Sequence, residues 1–462
     1  MRPTAGPACR LSFAVRLARA CRPTTQHAVL LLGTLCATSA YAQDAATAAP
    51  DGQSWALHAQ ATFVAQGVPG FHSPYEGPNS LRPHQLKETF DATFDAGARP
   101  WAGAELWFNP EVDQGFGLSN TLGAAGFPSA EAYKVGKSHP YVRVQRLFFR
   151  QTINLGGTRE TVAAAANQLA GTQSANRLVL TGGKIGVGDI FDTNKYAHDP
   201  RGDFLNWSIV DAGTFDYAAD AWGYSYGVAG EWYQGPWALR CGGFNLSKVP
   251  NGEVLERDFG QYQLDLEIEH RHQIGGHAGA VRVTLFRNRG QFGRFDDALA
   301  LASASGGPVD TALVRRRTTR TGVDINVEQE VTSPLGLFAR AGLNDGAVEP
   351  YDFTDIDRTV AIGGSLKGTG WGRADDTLGF AGVVNALSKE HERYLDAGGI
   401  GVLVGDGRLP HPGAEWIVEA YYDWQAIRGI NVTLDYQIIA NPAYNRDRGP
   451  ANILAVRFHG AF

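Results

Sequence analysis

The last ten residues of the chain, 453–462, alternate between two kinds of side chain. One row carries Arg457 and His459, whereas the other is apolar or small: Leu454, Val456, Phe458, Gly460 and Phe462. An alternation of period two places the two rows on opposite faces of a β-strand. A strand of about ten residues crosses a membrane when it is tilted. A closed barrel also removes the free edge that such a strand would expose in a soluble protein. The stretch therefore predicts a strand of a transmembrane barrel.

The two preceding segments, 415–424 and 430–438, follow the same pattern. In the first of them Trp416, Val418 and Trp424 share one face, and carboxylates and other residues share the opposite face. An apolar face with aromatic ends and a polar opposite face are typical of a barrel with lipid outside and water inside. A soluble β-sandwich also alternates, because its polar face meets bulk solvent. It is therefore the alternative for this stretch taken alone.

The first 42 residues differ from the rest of the chain. They carry five arginines and no acidic residue, a short apolar core at 28–37, and the small-x-small motif Ala-Tyr-Ala at 40–42. These features predict a secretory signal peptide that is cleaved before Gln43. Its removal takes the formal charge of the chain from −6 to −11. An acidic mature protein of this kind is not expected to bind nucleic acid.

The remaining residues are predicted to form a short linker, 43–53, and one barrel, 54–462. The spacing of the alternating segments favours short turns at one end and long loops at the other, as in outer-membrane barrels. One example is a hairpin turn at 97–100, followed by a long insertion predicted over 109–140. The predicted fold class is all-β, a transmembrane antiparallel barrel of the outer-membrane porin type. Its length accommodates roughly 16 to 18 strands.

The segment 184–220 is the densest in polar groups, and it supplies most of our candidates for the lining or constriction of a pore. We interpret it either as an inward loop that forms an acidic eyelet or as a solvated outer loop, and the sequence favours neither. It lacks the spacing of a calcium-binding loop, so no metal ligands are assigned. The candidates are Asp189, Asp192, Asn194, His198, Asp199, Arg201, Asp203 and, from an earlier segment, Arg143.

Two further stretches have unusual patterns. Arg143, Arg146 and Arg150 cannot share one face of a regular strand. This spacing predicts either a bulge or strand end near the rim, or arginines that point into the pore. The alanine-rich stretch 160–169 predicts a short helix within a loop.

One motif resembles an enzyme site. Gly-Tyr-Ser-Tyr-Gly at 223–227 matches the nucleophile elbow of hydrolases, with Ser225 as the nucleophile. The elbow requires a turn from strand to helix, whereas this stretch alternates like a strand and is followed by a second strand. We therefore do not expect an enzyme or a cofactor, and a barrel hydrolase that uses Ser225 is a remote alternative.

The motifs together resemble the OprB-type carbohydrate-selective porins of bacterial outer membranes. The residues that carry this resemblance are Asp189-Ile-Phe-Asp192-x-Asn194, 415–424, 435–442 and the final strand. Within that family the chain is similar to the branch described as high-affinity manganese porins. The segments that carry this second resemblance are 58–60, 71–81, 387–392 and 441–450.

The resemblance implies a passive channel of the bacterial outer membrane, surrounded by lipid and carrying no covalent chemistry. It implies transport of small hydrophilic solutes, with carbohydrates first and Mn²⁺ as the alternative. For a sugar we expect hydrogen bonds from arginines and carboxylates together with aromatic stacking. For Mn²⁺ we expect carboxylates, with His198, to lower the entry barrier. The family resemblance also favours a monomer.

Overall fold

The computed structural model describes residues 52–462. The predicted signal peptide, and the predicted linker up to residue 51, lie outside the described residues. In the part of the chain that is described, no helix is both long and apolar enough to span a membrane.

Within residues 52–462, sixteen antiparallel strands form one closed barrel, and each strand pairs with its neighbours in sequence. The first and last strands close it, with Phe63 opposite Phe458. The predicted fold class is confirmed, at the lower end of the predicted strand number. The strands are β1 Trp55–Val68, β2 Gln85–Ala98, β3 Ala104–Gly115, β4 Lys137–Val162, β5 Gly171–Ile185, β6 Ser225–Gln234, β7 Trp237–Asn245, β8 Tyr262–Ile274, β9 His277–Phe292, β10 Arg316–Thr332, β11 Leu335–Asn344, β12 Arg358–Gly368, β13 Arg373–Ala386, β14 Glu415–Ile427, β15 Ile430–Ala440 and β16 Ala451–Ala461.

The two faces of each strand meet different surroundings, as the alternation predicts. On β14, Trp416 and Val418 are exposed on the outer surface, whereas Glu415 and Glu419 are buried inside the barrel. The apolar outer belt is thus placed to contact lipid, while the polar side chains face the lumen.

Long loops lie at one end of the barrel and short connections at the other, so the predicted asymmetry is present. The long loops are L1 (69–84), L2 (116–136), L3 (186–224), L4 (246–261), L5 (293–315), L6 (345–357), L7 (387–414) and L8 (441–450). Because the longer loops of outer-membrane barrels are extracellular, we call this end the outer end and the opposite end the inner end.

Several outer loops pack together over the barrel. Their helices are α1 Trp207–Val210, α2 Phe295–Ser305 and α3 Lys389–Asp396, with short 3-10 turns at Leu118–Asn120, Val187–Asp189, Thr311–Val314 and Pro442–Tyr444. A further 3-10 turn, Thr369–Trp371, lies in the inner-end connection between β12 and β13. Phe295 of α2 stacks on His391 of α3 and contacts Tyr394. Buried apolar residues of L2, L3 and L5 to L8 form one cluster with them. The outer loops therefore form a packed cap.

Two predictions of local structure are wrong. The insertion predicted over 109–140 begins later, because β3 continues to Gly115 and pairs with β4 beyond Pro110. The helix predicted over 160–169 is absent, because β4 continues to Val162 and Glu160 pairs with Gln173. Pairing between strands therefore overrides the helix propensity of the alanines.

The irregular arginine spacing on β4 reflects a β-bulge. Val144 pairs with Pro110 and Arg146 pairs with Asn109, which leaves Gln145 as an extra residue. Proline has no backbone N–H to donate, and the ladder is interrupted opposite it. The bulge changes the phase of the alternation, so that Arg143 and Arg150 lie on the inner face, as Arg146 does.

The outer belt leads to a first prediction. Ile362, near the middle of β12, is exposed on the lipid-facing surface. We expect Ile362→Arg to lower the free energy of unfolding by about 2–4 kcal/mol, the cost of a cation at the bilayer midplane. Denaturant unfolding in lipid vesicles measures this change. Ile362→Leu is the matched control, and equal stability of the two variants would contradict the assigned face.

Candidate functional site

Loop L3 enters the barrel and follows its inner wall. It leaves β5, passes along one side of the lumen after another, and returns to the outer end before β6. Its contacts, in chain order, are Asp189 with Arg146 of β4, Asp192 with Glu267 of β8, Asn194 with Asn326 of β10, Tyr196 over Gly336 of β11, Pro200 with Arg457 of β16, Arg201 with Asp91 of β2, and Asn206 with Glu419 of β14. The loop therefore narrows the lumen from within.

A buried arginine of the barrel wall ties two parts of L3 together. Arg340 of β11 donates from Nη1 to the carbonyl of Ile209 and from Nη2 to the carbonyl of Ala197, both at 2.8 Å. Its Nε lies 3.2 Å from Oδ1 of Asp192. One guanidinium group thus satisfies acceptors from both arms of the loop, which fixes its course.

Carboxylates of the wall hold the loops by accepting hydrogen bonds from loop N–H groups, whereas Arg340 donates hydrogen bonds to loop carbonyls. Glu419 accepts a hydrogen bond from the backbone N–H of Asn206 at 3.0 Å. Glu415 accepts from the N–H groups of Ala125 and Gly126 in L2 at 3.1 and 2.8 Å. Buried backbone donors need such acceptors. Many inward carboxylates therefore support the loops and are not exposed to a passing solute.

An outer chamber of about 300 Å³ lies between L2, L3 and the β3–β4 wall. Aromatic side chains and charged groups line it together. The aromatic members are Phe127, Tyr133, Trp207, Tyr217, Trp222, Tyr224 and Phe353, and the charged members are Glu111, Glu131, Arg146, Asp189, Asp199, Arg201 and Asp211. His198 also lines this chamber.

An inner chamber of about 700 Å³ lies against β3 to β6 at the other end. Its lining is rich in arginine, in contrast to the outer chamber. The charged members are Arg99, Glu105, Arg146, Arg150, Arg159, Arg177, Asp189 and Glu231.

Arg146, Asp189 and His198 line both chambers, so the chambers adjoin at these residues, and we call this junction the passage. Nε and Nη2 of Arg146 donate to the two carboxylate oxygens of Asp189 at 2.8 and 2.6 Å. The guanidinium group lies 4.9 Å from the ring centre of Tyr224. The backbone N–H of Gly186 donates to Asp189 at 2.9 Å. The passage is thus bounded by a bidentate ion pair beside an aromatic ring.

Arg201 of L3 crosses to three carboxylates on the far side of the outer chamber. Its guanidinium nitrogens lie 3.5 Å from Asp91, 3.4 Å from Glu111 and 3.6 Å from Glu131. The side chain is 15% exposed, so part of it faces the chamber. One guanidinium group is therefore shared by three carboxyl groups.

The candidates from the sequence fall into two groups. Asp189, His198, Asp199 and Arg201 face the outer chamber. Arg143 pairs with Asp220 at 3.1 Å and stacks on Trp222, beside that chamber. The other three lie behind the surface, where their side chains hold the loop: Asp192, Asn194 and Asp203.

The floor of the inner chamber was not anticipated from the sequence. The tip of the β4–β5 hairpin, 163–170, folds beneath the lumen, where Leu169 is buried. Asn109 Nδ2 donates to Asn167 Oδ1 at 2.8 Å, and Arg150 Nη1 donates to the Asn167 carbonyl at 2.8 Å. Two of the alanines that suggested a helix, Ala165 and Ala166, lie in the tight turn of this tip, where Ala165 bridges to Gln168.

Ionisation differs among the loop carboxyls. Burial raises the pKa of Asp211 to about 7, and the nearby charge of Asp192 adds to this effect. Burial also raises the pKa of Asp203 to about 6. Burial opposes ionisation of Asp189 too, but the Arg146 guanidinium holds its pKa below the ordinary value. Burial, with Arg340, lowers the pKa of His198, so the ring is neutral near pH 7.

The described residues contain neither a cluster of three metal ligands nor, at Ser225, the geometry of a nucleophile elbow. Across residues 52–462, no group of three or more His, Cys, Asp or Glu side chains is placed to hold a metal ion. Ser225 begins β6 within a regular ladder, pairs with Ile185, and donates its hydroxyl to the Asn245 carbonyl. The strand-to-helix turn of a nucleophile elbow is therefore missing at this serine.

Comparison with known proteins gives a family and a fold. The chain matches the family described as carbohydrate-selective porin, OprB family, over residues 79–462. It is similar to the high-pH structure of Pseudomonas putida OprB, with 15% identity, a TM-score of 0.68, and coverage of 88% of this chain and 94% of that chain. It is also similar to the outer membrane channel DcaP of Acinetobacter baumannii, with 11% identity, a TM-score of 0.50, and coverage of 89% and 100%. The comparison with curated protein sequences finds no match.

The ion pair at the passage leads to a second prediction. Asp189→Asn leaves Arg146 unbalanced and should shift ion selectivity toward anions, whereas Arg146→Gln should shift it toward cations. We expect permeability ratios to change about threefold, the effect of one unit charge acting through water over about 7 Å. Reversal potentials in planar bilayers under a salt gradient measure this. The double variant should return close to the wild-type value. Shifts of the same sign in both single variants would contradict the assignment.

The ionisation of Asp211 leads to a third prediction. Because the pKa of this carboxyl is about 7, it is neutral below that pH and negative above it. Cation preference should therefore rise from about pH 6 to about pH 8. Reversal potentials at the two pH values measure the change. Asp211→Asn should reduce it, and an undiminished change in this variant would assign the titration to another group.

Proposed function

The chain belongs to the OprB family of carbohydrate-selective porins, and we propose that small sugars cross it by passive diffusion through the outer and inner chambers. Members of this family are channels of the bacterial outer membrane, so the protein is a porin of that membrane and not an enzyme. What we propose beyond the family is the route and the residues that a sugar meets.

The observation that carries the proposal is the composition of the passage. A sugar presents hydroxyl groups that both donate and accept hydrogen bonds. The Arg146 guanidinium supplies donors, the Asp189 carboxylate supplies acceptors, and the Tyr224 ring supplies a flat apolar face beside them. These groups complement the edge and the face of a pyranose ring.

Before the passage, a sugar meets aromatic and polar side chains of the outer chamber. Trp207, Tyr217 and Phe353 are in mutual ring contact on one side of it, with centroid separations of 5.6 and 5.7 Å. Asp199 and Arg201 lie on the chamber surface as polar partners. Weak contacts at several successive positions suit transport, because the solute must leave each of them.

The remaining candidates support this route by position. Asp192 and Asn194 keep L3 on the wall, and Asp203 accepts hydrogen bonds from backbone N–H groups within L3. Arg143 holds the end of L3 through Asp220. We therefore propose that Asp189, His198, Asp199 and Arg201 line the path, and that the other four shape it.

Manganese transport is the second candidate. The resemblance of several segments to the manganese branch suggests it, and the carboxylates of the outer chamber suit a divalent cation at its entrance. The absence of a three-ligand group in residues 52–462 is compatible with weak passage of an ion but lends no support to selective binding. We therefore place sugars first.

We also propose that the functional unit is a monomer. The outer and inner chambers are lined by residues of one chain, so a second copy is not needed to complete the route. Molar mass by light scattering, corrected for detergent, tests this proposal, and a trimeric mass would overturn it.

The ring at the passage gives a fourth prediction. Tyr224→Phe keeps the aromatic face, whereas Tyr224→Leu removes it. We expect the half-saturating glucose concentration for flux to rise about threefold in the leucine variant, within the range of aromatic contact energies, and to stay close to wild type in the phenylalanine variant. Concentration-dependent uptake into proteoliposomes measures this. Equal half-saturation in both variants would exclude stacking on this ring.

The same vesicles separate the two candidate functions. Glucose entry faster than that of Mn²⁺ under matched gradients supports the sugar channel. Entry of Mn²⁺ exceeding both that of Mg²⁺ and that of glucose would overturn it in favour of the manganese alternative. Slow entry of every solute, in protein shown to be folded, would contradict both.

A further inference from the structure

We propose that this porin selects for uncharged solutes, because the two chambers along the route carry opposite excess charge. The proposal rests on the proposed function, in which sugars follow this route, and it names the class of sugar that passes. Neutral sugars are expected to cross faster than amino sugars or sugar acids of the same size.

The outer chamber is acidic. Its carboxylates are Glu111, Glu131, Asp189, Asp199 and Asp211. Its arginines are Arg146 and Arg201. The formal balance of these groups is two positive charges against five negative charges. Even with Asp211 protonated, carboxylates outnumber guanidinium groups.

The inner chamber is basic. Its arginines are Arg99, Arg146, Arg150, Arg159 and Arg177. Its carboxylates are Glu105, Asp189 and Glu231. The formal balance is five positive charges against three negative charges, and the ion pair of Arg146 with Asp189 lies where the sign changes.

The β4–β5 hairpin supplies much of this positive charge. Arg150, Arg159 and Arg177 all belong to its two strands, and the hairpin tip forms the chamber floor. Arg159 donates from Nη2 to Oγ1 of Thr172 at 3.3 Å and is exposed. Its charge is therefore available to a solute in the chamber.

Opposite charges in series act against ions of both signs. An anion meets repulsion in the outer chamber, and a cation that is attracted there meets repulsion in the inner one. At physiological salt the screening length is about 8 Å, so each chamber acts mainly on a solute within it. A neutral polyhydroxylated solute encounters neither barrier and keeps its hydrogen bonds with both chambers.

The same arrangement predicts rectification of ion current. A voltage that drives cations inward from the acidic outer chamber and anions outward from the basic inner chamber fills the passage with ions. The reverse voltage depletes it. Porins inserted in one orientation in a planar bilayer should therefore pass more current when the outer side is positive. A symmetric current–voltage curve would overturn the proposal.

The main test compares three sugars of one scaffold in proteoliposomes: glucose, glucosamine and glucuronate. At about pH 6.5 the amine of glucosamine is protonated and glucuronate is ionised. We expect glucose to enter faster than either charged sugar. If either charged sugar enters as fast as glucose, selection for neutral solutes is overturned while the sugar channel stands. If glucose itself fails to enter, the proposed function falls.

Two charge-neutralising variants identify the barriers. Asp199→Asn keeps an acceptor for the Arg201 N–H, which now donates to Asp199 Oδ1 at 3.0 Å. In this variant the entry of glucuronate relative to that of glucose should rise about threefold. Arg159→Gln should speed glucosamine by a similar factor. The matched control is Lys389→Gln on α3, where the lysine side chain is 81% exposed. Unchanged charged-sugar fluxes in both variants would also overturn the proposal.

Discussion

Backbone hydrogen bonding in lipid is the constraint from which the rest of this structure follows. A sheet that faces hydrocarbon cannot leave N–H and C=O groups unpaired, so β1 must pair with β16 and the sheet must close. Closure with strict alternation turns every second side chain inward, and in this chain those side chains are carboxylates, amides and arginines. A barrel of sixteen strands has a wide polar interior, and that interior must be filled by water or by protein. Loops L2 and L3 fill much of it.

Many side chains of the inner wall therefore support the loops, and fewer of them line the chambers. Arg340 and Glu419 are buried, and each is satisfied by backbone groups of L3. A buried charge without such partners would be costly, and the loop backbone would equally lack partners without the wall. The two sets of groups complement each other, which explains why a loop without extended regular structure keeps a defined course. It also explains why the two chambers lie along β3 to β6, while L3 is packed against the wall from β8 through β16 to β2.

The sequence predicted those parts of the fold that one local rule governs. It did not predict those that depend on contacts between residues distant in the chain. Alternation predicted the barrel, because the pleat imposes period two on every strand. It did not predict that β3 passes through Pro110, because the bulge at Gln145 on the neighbouring strand makes that possible. The segment 184–220 was singled out for its charge, but only the fold separates Asp189, which faces both chambers, from Asp192, which pairs with Arg340. The hairpin tip carries little charge of its own, so nothing local identified it as the chamber floor.

Net charge is consequently a poor guide to what this pore admits. Without its predicted signal peptide the chain carries a formal charge of −11, and composition alone would suggest a channel for cations. The acids, however, are distributed unevenly between scaffold and lining. Glu415 and Glu419 are occupied by loop backbone, and Glu267 and Glu269 are held by Arg240. What faces the solute is a smaller set whose sign changes along the route. Charge acts over roughly the dimension of one chamber at physiological salt, so the order of charges along the path governs the passage of ions, and their sum over the chain does not.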